Sequence, residues 1–317
     1  MDMTRRHFLT GGAALGGLAV ASRLPAFADA PELFQERGRY ERLSLGYVRI
    51  KAGAEKPFTV LHISDTHLTA AYPHEDAKKH ELIKVRAKTF GGRQEEALRD
   101  SLAWARQHVD YVLHTGDMID FQSEANFDLV RKYYGDGGDT MFGSLGNHEY
   151  SRNMWFDKAT YNEEYKDGTR GLVAAAFPFD TLLASTIVNG VNFVSMDNVY
   201  GTVTPRQAER FAEEVAKDLP IVLCVHRPFM TAHIEQANSR FWRSKNLKEI
   251  KDTSGWKESY KDSVTSDFVS YLKSQPLLKG ILAGHLHFDV QDRFSPSAME
   301  YVVGGNFLFH GQEVTIS

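Results

Sequence analysis

The chain has 317 residues, 42% of them hydrophobic and 25% charged, which is typical of a soluble globular protein with ample apolar residues for a core. A formal net charge of -4 provides no electrostatic attraction to nucleic acid or anionic lipid, so nucleic acid is not an expected partner. The single cysteine, Cys224, excludes an intrachain disulfide, a thiolate zinc cluster and an iron–sulfur site. It lies in an apolar run and is predicted to be a small buried residue.

Residues 1–28 are predicted to be a twin-arginine signal peptide. Arg5 and Arg6 precede an apolar Gly/Ala/Leu run over residues 11–21, and a small-x-small cleavage site follows at residues 26–28. The run is too short and too glycine-rich for a stable membrane span, and no cysteine follows it to carry a lipid anchor. We expect the twin-arginine translocation machinery to export the protein to the periplasm or the exterior. The alternatives are an ordinary secretory signal with a chance Arg pair, or an uncleaved anchor.

A single domain is predicted over residues 29–317, with alternating strands and helices. The predicted strands cover residues 43–50, 58–64, 111–115, 141–145, 181–188, 191–196, 221–225 and 277–283, with short strands from residue 299 on. Helices are predicted over residues 93–108 and 265–272, and after the N-caps Ser123 and Thr204. Residues 69–93 and 150–180 are predicted to be irregular connections. Residues 231–262 form a polar insertion and a candidate substrate rim.

Five predicted strands end at residues that can bind a metal or transfer a proton. These residues are Asp65, His67, Asp117, Asn147, His148, His226, His285 and His287. An open α/β sheet usually places its chemistry at the carboxyl ends of its strands. Carboxylate, imidazole and amide ligands suit divalent Zn, Mn, Fe or Ni, and the set is too large for one tetrahedral ion. The pattern predicts two divalent transition-metal ions that share an Asp, clamp a phosphoryl group and hold a hydroxide as the nucleophile.

The order of these motifs resembles that of the calcineurin-like metallophosphoesterases over roughly residues 58–290. The motifs are Asp65-x-His67, Gly116-Asp117, Gly146-Asn147-His148-Glu149, His226 and Gly284-His285-x-His287. The resemblance implies an α/β fold, a four-layer α/β/β/α sandwich with two mixed β-sheets. It implies one ion bound by Asp65, His67, Asp117 and His287, and a second bound by Asp117, Asn147, His226 and His285. It also implies that His148 is an outer-sphere acid or charge stabiliser beside the leaving group.

The sequence departs from two branches of that family. Protein Ser/Thr phosphatases carry Asp-Arg-Gly at this point, whereas Asp120 is followed here by Phe121 and Gln122. Purple acid phosphatases carry a Tyr ligand just after the residue equivalent to Asp117, and this sequence has no Tyr there. The closer resemblance is to exported bacterial phosphoesterases and small phosphodiesterases. We therefore expect a phosphodiesterase that acts on a small phosphoester. The alternatives are a phosphomonoesterase at the same site, a non-catalytic metal-binding envelope protein, or an exported nuclease.

Four other polar residues have two interpretations each. His62 and His114 are predicted to be core histidines, with support of the site from a second layer as the alternative. Asp120 either orients a ligand or caps a turn. Arg227 either contacts a phosphate oxygen or forms a structural ion pair.

Overall fold

Eleven strands and seven α-helices make up the part of the chain that the computed structural model describes, which is residues 42–152, 162–242 and 262–317. The strands are β1 (Ser44–Ile50), β2 (Phe58–Ile63), β3 (Tyr111–Thr115), β4 (Met141–Ser144), β5 (Leu183–Val188), β6 (Val191–Met196), β7 (Ile221–Cys224), β8 (Leu278–Ala283), β9 (Val290–Arg293), β10 (Met299–Val302) and β11 (His310–Ile316). The helices are α1 (Ala77–Phe90), α2 (Gln94–His108), α3 (Glu124–Gly137), α4 (Glu163–Ala174), α5 (Pro205–Val215), α6 (Ala232–Phe241) and α7 (Ser263–Ser274).

The strands form two mixed sheets. The first has the order β1-β11-β2-β3-β4, and the second has the order β5-β6-β7-β8-β10-β9. Strands β2, β3 and β4 are parallel to one another, as are β6, β7, β8 and β10. The carboxyl ends of the parallel strands therefore meet at one edge of each sheet, which is where the sequence places its metal-binding residue types.

Apolar side chains of both sheets form the core between them. Phe193 on β6 is fully buried, and its ring centroid lies 6.0 Å from that of Phe58 and 5.2 Å from that of Phe142 on the first sheet. Burial of one such side chain contributes about 1.5–3 kcal/mol. Cys224 belongs to the same core and is fully buried, as predicted.

Helices cover the outer face of each sheet. Helix α2 packs on β3 and α3 packs on β4, while Phe211 of α5 and Phe268 of α7 pack against the far side of the second sheet. The expected α/β/β/α sandwich with two mixed sheets is thus confirmed. Within the described ranges, no helix combines the length and apolarity that a membrane span requires.

The sequence-based prediction missed three helices. Residues 69–93 contain α1, which Asp76 caps and which Gly91 ends in the left-handed conformation. Residues 150–180 contain α4, and residues 231–262 contain α6. Helices α1 and α4 bury few residues, and these include Arg86 and Lys166, so neither shows the apolar stripe that identifies a helix in sequence. The predicted signal peptide lies outside the described residues.

Candidate metal centre

Two loops that follow neighbouring parallel strands lie side by side at the carboxyl edge of the first sheet. The backbone N–H of Asp65 donates to the carbonyl of Gly116 at 3.0 Å, and that of His67 donates to the carbonyl of Asp117 at 2.9 Å. These bonds continue the pairing of β2 with β3 beyond the strands. Residues about 50 positions apart in the chain are therefore held in one rigid surface.

The carboxylate of Asp65 is oriented by a backbone donor on the other sheet. Its Oδ2 accepts a hydrogen bond from the backbone N–H of His285 at 2.8 Å. Its Oδ1 faces the other way, 3.3 Å from Nε2 of His287 and 3.8 Å from Nε2 of His67. This Oδ1 is buried and accepts no hydrogen bond from any residue that the structure describes, which is the environment of an oxygen that binds a cation.

Asp117 has the same arrangement. Its Oδ1 accepts from the backbone N–H of His148 at 2.9 Å. Its Oδ2 lies 3.1 Å from Nε2 of His226 and 3.8 Å from Nε2 of His67. One oxygen atom of Asp117 therefore faces imidazoles from two different strand ends.

The histidines converge in pairs. The Nε2 atoms of His67 and His287 lie 3.2 Å apart, and Nε2 of His226 lies 3.1 Å from Nδ1 of His285. Asp65, His67 and His287 offer ligand atoms that all lie within 4.8 Å of one another, and so do Asp117, His226 and His285. Imidazole nitrogens in such contact, next to buried carboxylate oxygens, fit divalent cations.

The protonation states of several of these groups suit metal binding. Burial lowers the pKa of His67 to about 4, and burial together with the charge of Arg227 lowers the pKa of His285 well below its ordinary value. Burial alone would raise the pKa of Asp117, but His226 and His148 hold it well below its usual range. Neutral imidazoles and ionised carboxylates are the forms that bind a metal ion.

Five of the seven predicted ligands have a left-handed backbone. They are Asp65, His67, Asp117, His285 and His287, with φ between 52° and 72°. Residues other than glycine adopt this conformation rarely, at a cost of about 1–3 kcal/mol each, and such strain concentrates at functional sites. The conformation turns each side chain away from the strand path and toward the shared edge of the sheets.

Two glycines make room for the carboxylates. A Cβ atom at Gly146 would collide with the backbone and the carboxylate of Asp117, and one at Gly284 would collide with Ser64 and with Oδ2 of Asp65. The backbone of Gly146 and Gly284 is not left-handed, so close packing alone excludes a side chain at these two positions.

Glu149 holds the loops after β3 and β4 together. Its buried carboxylate accepts four backbone hydrogen bonds, from Asp117 (2.9 Å), Met118 (2.7 Å), Ile119 (3.2 Å) and Gly146 (2.7 Å). Sequence reasoning placed Glu149 in a motif but gave it no role. The structure shows that it fixes the backbone on both sides of the Asp117 side chain.

Asp120 lies behind the site and contacts two histidines. Of its two interpretations, the contacts favour the orientation of a predicted ligand over a turn cap. Its Oδ1 accepts from Nδ1 of His67 at 3.0 Å, and its backbone carbonyl accepts from Nδ1 of His148 at 2.6 Å. A carboxylate partner of this kind sets the tautomer and the ring orientation of a metal-binding histidine. His67, Asp120 and His148 form a third group of converging ligand atoms.

The remaining predicted site residues lie close to these groups. Asn147 is buried between Gly146 and His148. His148 is buried beside the site, with Nε2 4.0 Å from Oδ2 of Asp117. His226 donates through Nδ1 to the carbonyl of Thr115 at 2.8 Å, which leaves its Nε2 for the site.

The two strand histidines support the loops around the site. Nε2 of His62 bonds to the hydroxyl of Thr115 at 2.8 Å, and Nε2 of His114 bonds to that of Thr66 at 2.9 Å. Arg227 is buried, and its backbone is fixed by the side chain of Asn198. Its charge is close enough to affect the pKa of His285. Both interpretations of Arg227, as a phosphate contact and as a partner in a structural ion pair, stay predictions.

The model of the calcineurin-like phosphoesterase family matches residues 58–289 of this chain. Among solved structures, a dimetal phosphatase from Danio rerio is similar, with 13% identity and a TM-score of 0.43 over 79% of this chain and 88% of that one. A purple acid phosphatase from yellow lupin has 12% identity and a TM-score of 0.46 over 79% of this chain and 44% of that one. A 5'-nucleotidase from Candida albicans has 13% identity and a TM-score of 0.39 over 84% of this chain and 48% of that one. A search of curated proteins gives no match.

An α/β/β/α sandwich with carboxylates and imidazoles at its strand ends defines a metal-dependent hydrolase. The chain belongs to the calcineurin-like phosphoesterase family, since the family model matches most of its length. It is therefore a metal-dependent phosphoester hydrolase, and the family implies divalent metal ions at the clusters described above.

Proposed function

We propose that the protein is a dinuclear metallophosphodiesterase that acts on small phosphoesters. The observation that carries this proposal is the position of Oδ2 of Asp117, 3.8 Å from Nε2 of His67 and 3.1 Å from Nε2 of His226, where it faces both ligand groups. One ion would be held by Asp65, His67, Asp117 and His287, and the other by Asp117, Asn147, His226 and His285. These ligand types suit divalent Mn, Zn, Fe or Ni.

Ions bound in these positions supply Lewis-acid stabilisation of the phosphoryl oxygens. The protein's own contribution is to hold a proton near the leaving oxygen. Nδ1 of His148 donates to the carbonyl of Asp120, so its Nε2 is directed toward Asp117 at the site. Nε2 is thus placed to donate a proton to the departing oxygen, while Asp120 keeps the ring from turning.

The charge around the site supports a diester substrate over a monoester. A monoester dianion carries one more negative charge than a diester and gains more from additional cationic side chains. The buried cation behind the site, Arg86, is already paired with Asp120 at 2.6 Å and cannot reach a second phosphate charge without breaking that ion pair. Arg227, whose charge affects the pKa of His285, is one cation beside the site, which suits the single negative charge of a diester.

Part of the predicted substrate rim, residues 231–262, supports a role in binding the ester group. The ring of Trp242 lies 6.1 Å from that of His287, and the exposed ring of Phe241 stacks on Phe288 at 4.6 Å. Phe241 and Phe288 line an open cavity of about 500 Å³ between α6 and residues 288–291, with Arg240 in its wall. We refer to it as the rim cavity and propose that it holds an apolar or aromatic ester group. Residues 243–261 of the predicted rim lie outside the described residues.

Export is also a proposal, and its support is the twin-arginine pattern of residues 1–28, with residues 29–317 as the mature domain. A variant with Arg5→Lys and Arg6→Lys is expected to remain in the cytoplasm in active form. Export of that variant at the normal level would contradict the proposal.

The diester proposal is tested with bis-p-nitrophenyl phosphate and mono-p-nitrophenyl phosphate, together with metal analysis of the purified protein. We expect two metal equivalents and a higher kcat/KM for the diester. A higher kcat/KM for the monoester would make the protein a phosphomonoesterase at the same site. Two bound metals without hydrolysis across a broad phosphoester panel would instead favour a non-catalytic metal-binding protein. Asp117→Asn is the matched variant, expected to lose both metal and turnover.

A further inference from the structure

Arg86 is a buried cation that sequence reasoning did not single out. It lies on α1 and is only 5% exposed. Its Nε donates to Oδ2 of Asp120 at 2.6 Å, and its Nη2 donates to Oδ1 of the same carboxylate at 2.8 Å. Two parallel bonds of this kind fix the plane of a carboxylate as well as its position.

The Asp120 carboxylate, which Arg86 holds, lies close both to a proposed metal ligand and to the proposed proton donor. Its Oδ1 lies 3.0 Å from Nδ1 of His67, a proposed metal ligand, and 3.2 Å from Nδ1 of His148, the proposed proton donor. Rotation of the Asp120 side chain would therefore remove the acceptor of His67 and also move the negative charge beside His148, whose Nδ1 donates to the backbone carbonyl of Asp120.

The next turn of α1 contacts the same histidine directly. Phe90 lies four residues after Arg86, and its ring stacks on that of His67 with a centroid distance of 4.4 Å and an angle of 15°. The guanidinium of Arg86 lies 4.5 Å from the centroid of the Phe90 ring. Of the residues of α1, those that are buried are Leu82, Arg86 and Phe90, so two of its three buried side chains are directed at the site.

We propose that Arg86 is a positioning residue that acts through Asp120 on His67 and His148. The proposal rests on the function proposed above for those two histidines. With Arg86 in place, the Asp120 carboxylate keeps its plane, the His67 ring keeps the acceptor that directs its Nε2 into the site, and the negative charge stays 3.2 Å from Nδ1 of His148. Without it, the carboxylate is free to rotate, and the Nδ1–H of His67 loses a fixed acceptor. The metal site that contains His67 weakens most, because Asp120 supports the His67 ring directly. In the other cluster, Nδ1 of His226 is held by the carbonyl of Thr115, which does not depend on Arg86.

A structural ion pair is the competing explanation, and the geometry favours positioning. A buried ion pair contributes little net stability, because removing both charges from water costs about as much as their attraction returns. The carboxylate of this pair also accepts from Nδ1 of His67 and lies 3.2 Å from Nδ1 of His148, and a purely structural pair would need no such contacts. Lysine cannot replace the two-point contact, because its ammonium group is a single point charge.

The test compares Arg86→Met, Arg86→Lys, Asp120→Asn and the double variant Arg86→Met/Asp120→Asn. Arg131→Met serves as the control, because Arg131 forms a salt bridge with Asp128 at an exposed position. The measurements are kcat and KM with bis-p-nitrophenyl phosphate, the affinity of each metal equivalent by competition with a chelator, and the melting temperature.

We expect Arg86→Met to lower kcat and to weaken one of the two metal equivalents, each by about 10- to 100-fold, as is usual when an outer support of a ligand is lost. KM and the second metal equivalent should change by less than about twofold. Arg86→Lys should recover only part of the loss. The double variant should be no worse than Asp120→Asn, because residues that act as one unit are not additive.

Three results would overturn the positioning role. They are normal kcat and normal affinity for both metals in Arg86→Met, full activity in Arg86→Lys, or multiplied losses in the double variant. If Arg86→Met does not fold, the comparison of Asp120→Asn with the double variant still tests the positioning role. The double variant removes both charges and so leaves no unpaired charge buried. Two metals bound by an inactive wild-type protein would overturn the proposed hydrolysis alone, and the metal affinities of the variants would still test Arg86.

Discussion

The Nε2 atoms of His67 and His287 lie 3.2 Å apart, although 220 positions separate the two residues in the chain. Each belongs to the end of a different sheet, and Oδ1 of Asp65 lies 3.3 Å from the second of them. Nitrogen and oxygen atoms concentrated in this way are stabilised when a cation binds among them, and such binding also stabilises the folded state.

Metal removal is therefore expected to lower the melting temperature. A ligand present at 100 times its Kd stabilises a protein by about 2.7 kcal/mol, so chelation should lower the unfolding temperature by several degrees. The measurement is thermal unfolding before and after dialysis against a chelator, and after return of Mn or Zn. Asp65→Asn should melt near the temperature of the chelated wild type and respond little to added metal. An unchanged melting temperature on chelation would contradict a structural contribution of the ions.

His148→Ala is expected to separate proton donation from metal binding. The side chain is beside the two proposed ligand sets, and its Nδ1 is held by the carbonyl of Asp120. Loss of a general acid lowers kcat by about 10²- to 10⁴-fold. Metal analysis should still find two equivalents. His74→Ala is the control, because His74 is exposed and pairs with Glu124 away from the site. Loss of a metal in His148→Ala would show that His148 is itself a ligand.

Gly146→Ala should impair the site through crowding. The added methyl group would collide with the backbone and the carboxylate of Asp117, and displacement of a reacting group by about 1 Å can cost about 10²-fold in rate. Overpacking of this kind also costs about 1–3 kcal/mol in the free energy of unfolding. Both kcat and urea unfolding are measured.

The control for this change is Gly168→Ala in α4, where a Cβ atom meets nothing within 4 Å. It should leave kcat unchanged and stabilise the protein by about 0.5–1 kcal/mol, since alanine is the better helix former. Equal kcat in Gly146→Ala and in the wild type would show that the loop can move away without affecting the site.

Much of the fold and the position of the site could be predicted from sequence, because both follow from repeated local patterns. Apolar strands that break at Gly116, Gly146 and Gly284 place polar residues at the carboxyl edge of a parallel sheet, and the structure brings those residues together there. Their roles as metal ligands stay a prediction, as do the signal peptide and the diester preference.

The support around the site could not be predicted, because it depends on contacts between distant segments. Arg86 looks like one more polar residue in a polar stretch, and only the packing of α1 shows that it holds Asp120. Glu149 likewise gains its role from the backbone of a loop about 30 positions earlier. Neither contact leaves a periodic signal in the sequence.

Glu300→Gln is expected to remove a pH dependence of stability. Glu300 is fully buried on β10, and its Oε1 accepts from the backbone N–H of Phe229 at 2.8 Å. Burial raises the pKa of this carboxyl well above its ordinary value, and the nearby charge of Asp292 adds to the rise. The folded protein thus holds a proton that the unfolded chain releases above a pH of about 4.3. Stability contributed by this group is present at low pH and falls by up to about 1.4 kcal/mol per pH unit as the pH rises.

Glutamine keeps the shape of the protonated side chain and cannot ionise. The Glu300→Gln variant should match the wild type near pH 4.5 and exceed it in unfolding free energy at pH 8, as measured by urea unfolding across this range. Glu209→Gln, at an exposed position on α5, is the control and should follow the wild type at every pH. Parallel stability curves for Glu300→Gln and the wild type would show that Glu300 is ionised in the folded protein.

Trp242→Ala should change substrate choice and leave the metals in place, because the ring of Trp242 lies at the predicted substrate rim, 6.1 Å from that of His287. The substrates are bis-p-nitrophenyl phosphate and methyl p-nitrophenyl phosphate, which share a leaving group and differ in the second ester group. An aromatic contact is worth about 0.5–1.5 kcal/mol, so kcat/KM for the first substrate should fall by about 3- to 10-fold relative to the second. Tyr47→Ala is the control, since Tyr47 is 77% exposed on the edge strand β1. An equal fall for both substrates would mean that Trp242 supports His287, whose ring is 6.1 Å away, and does not bind the ester group.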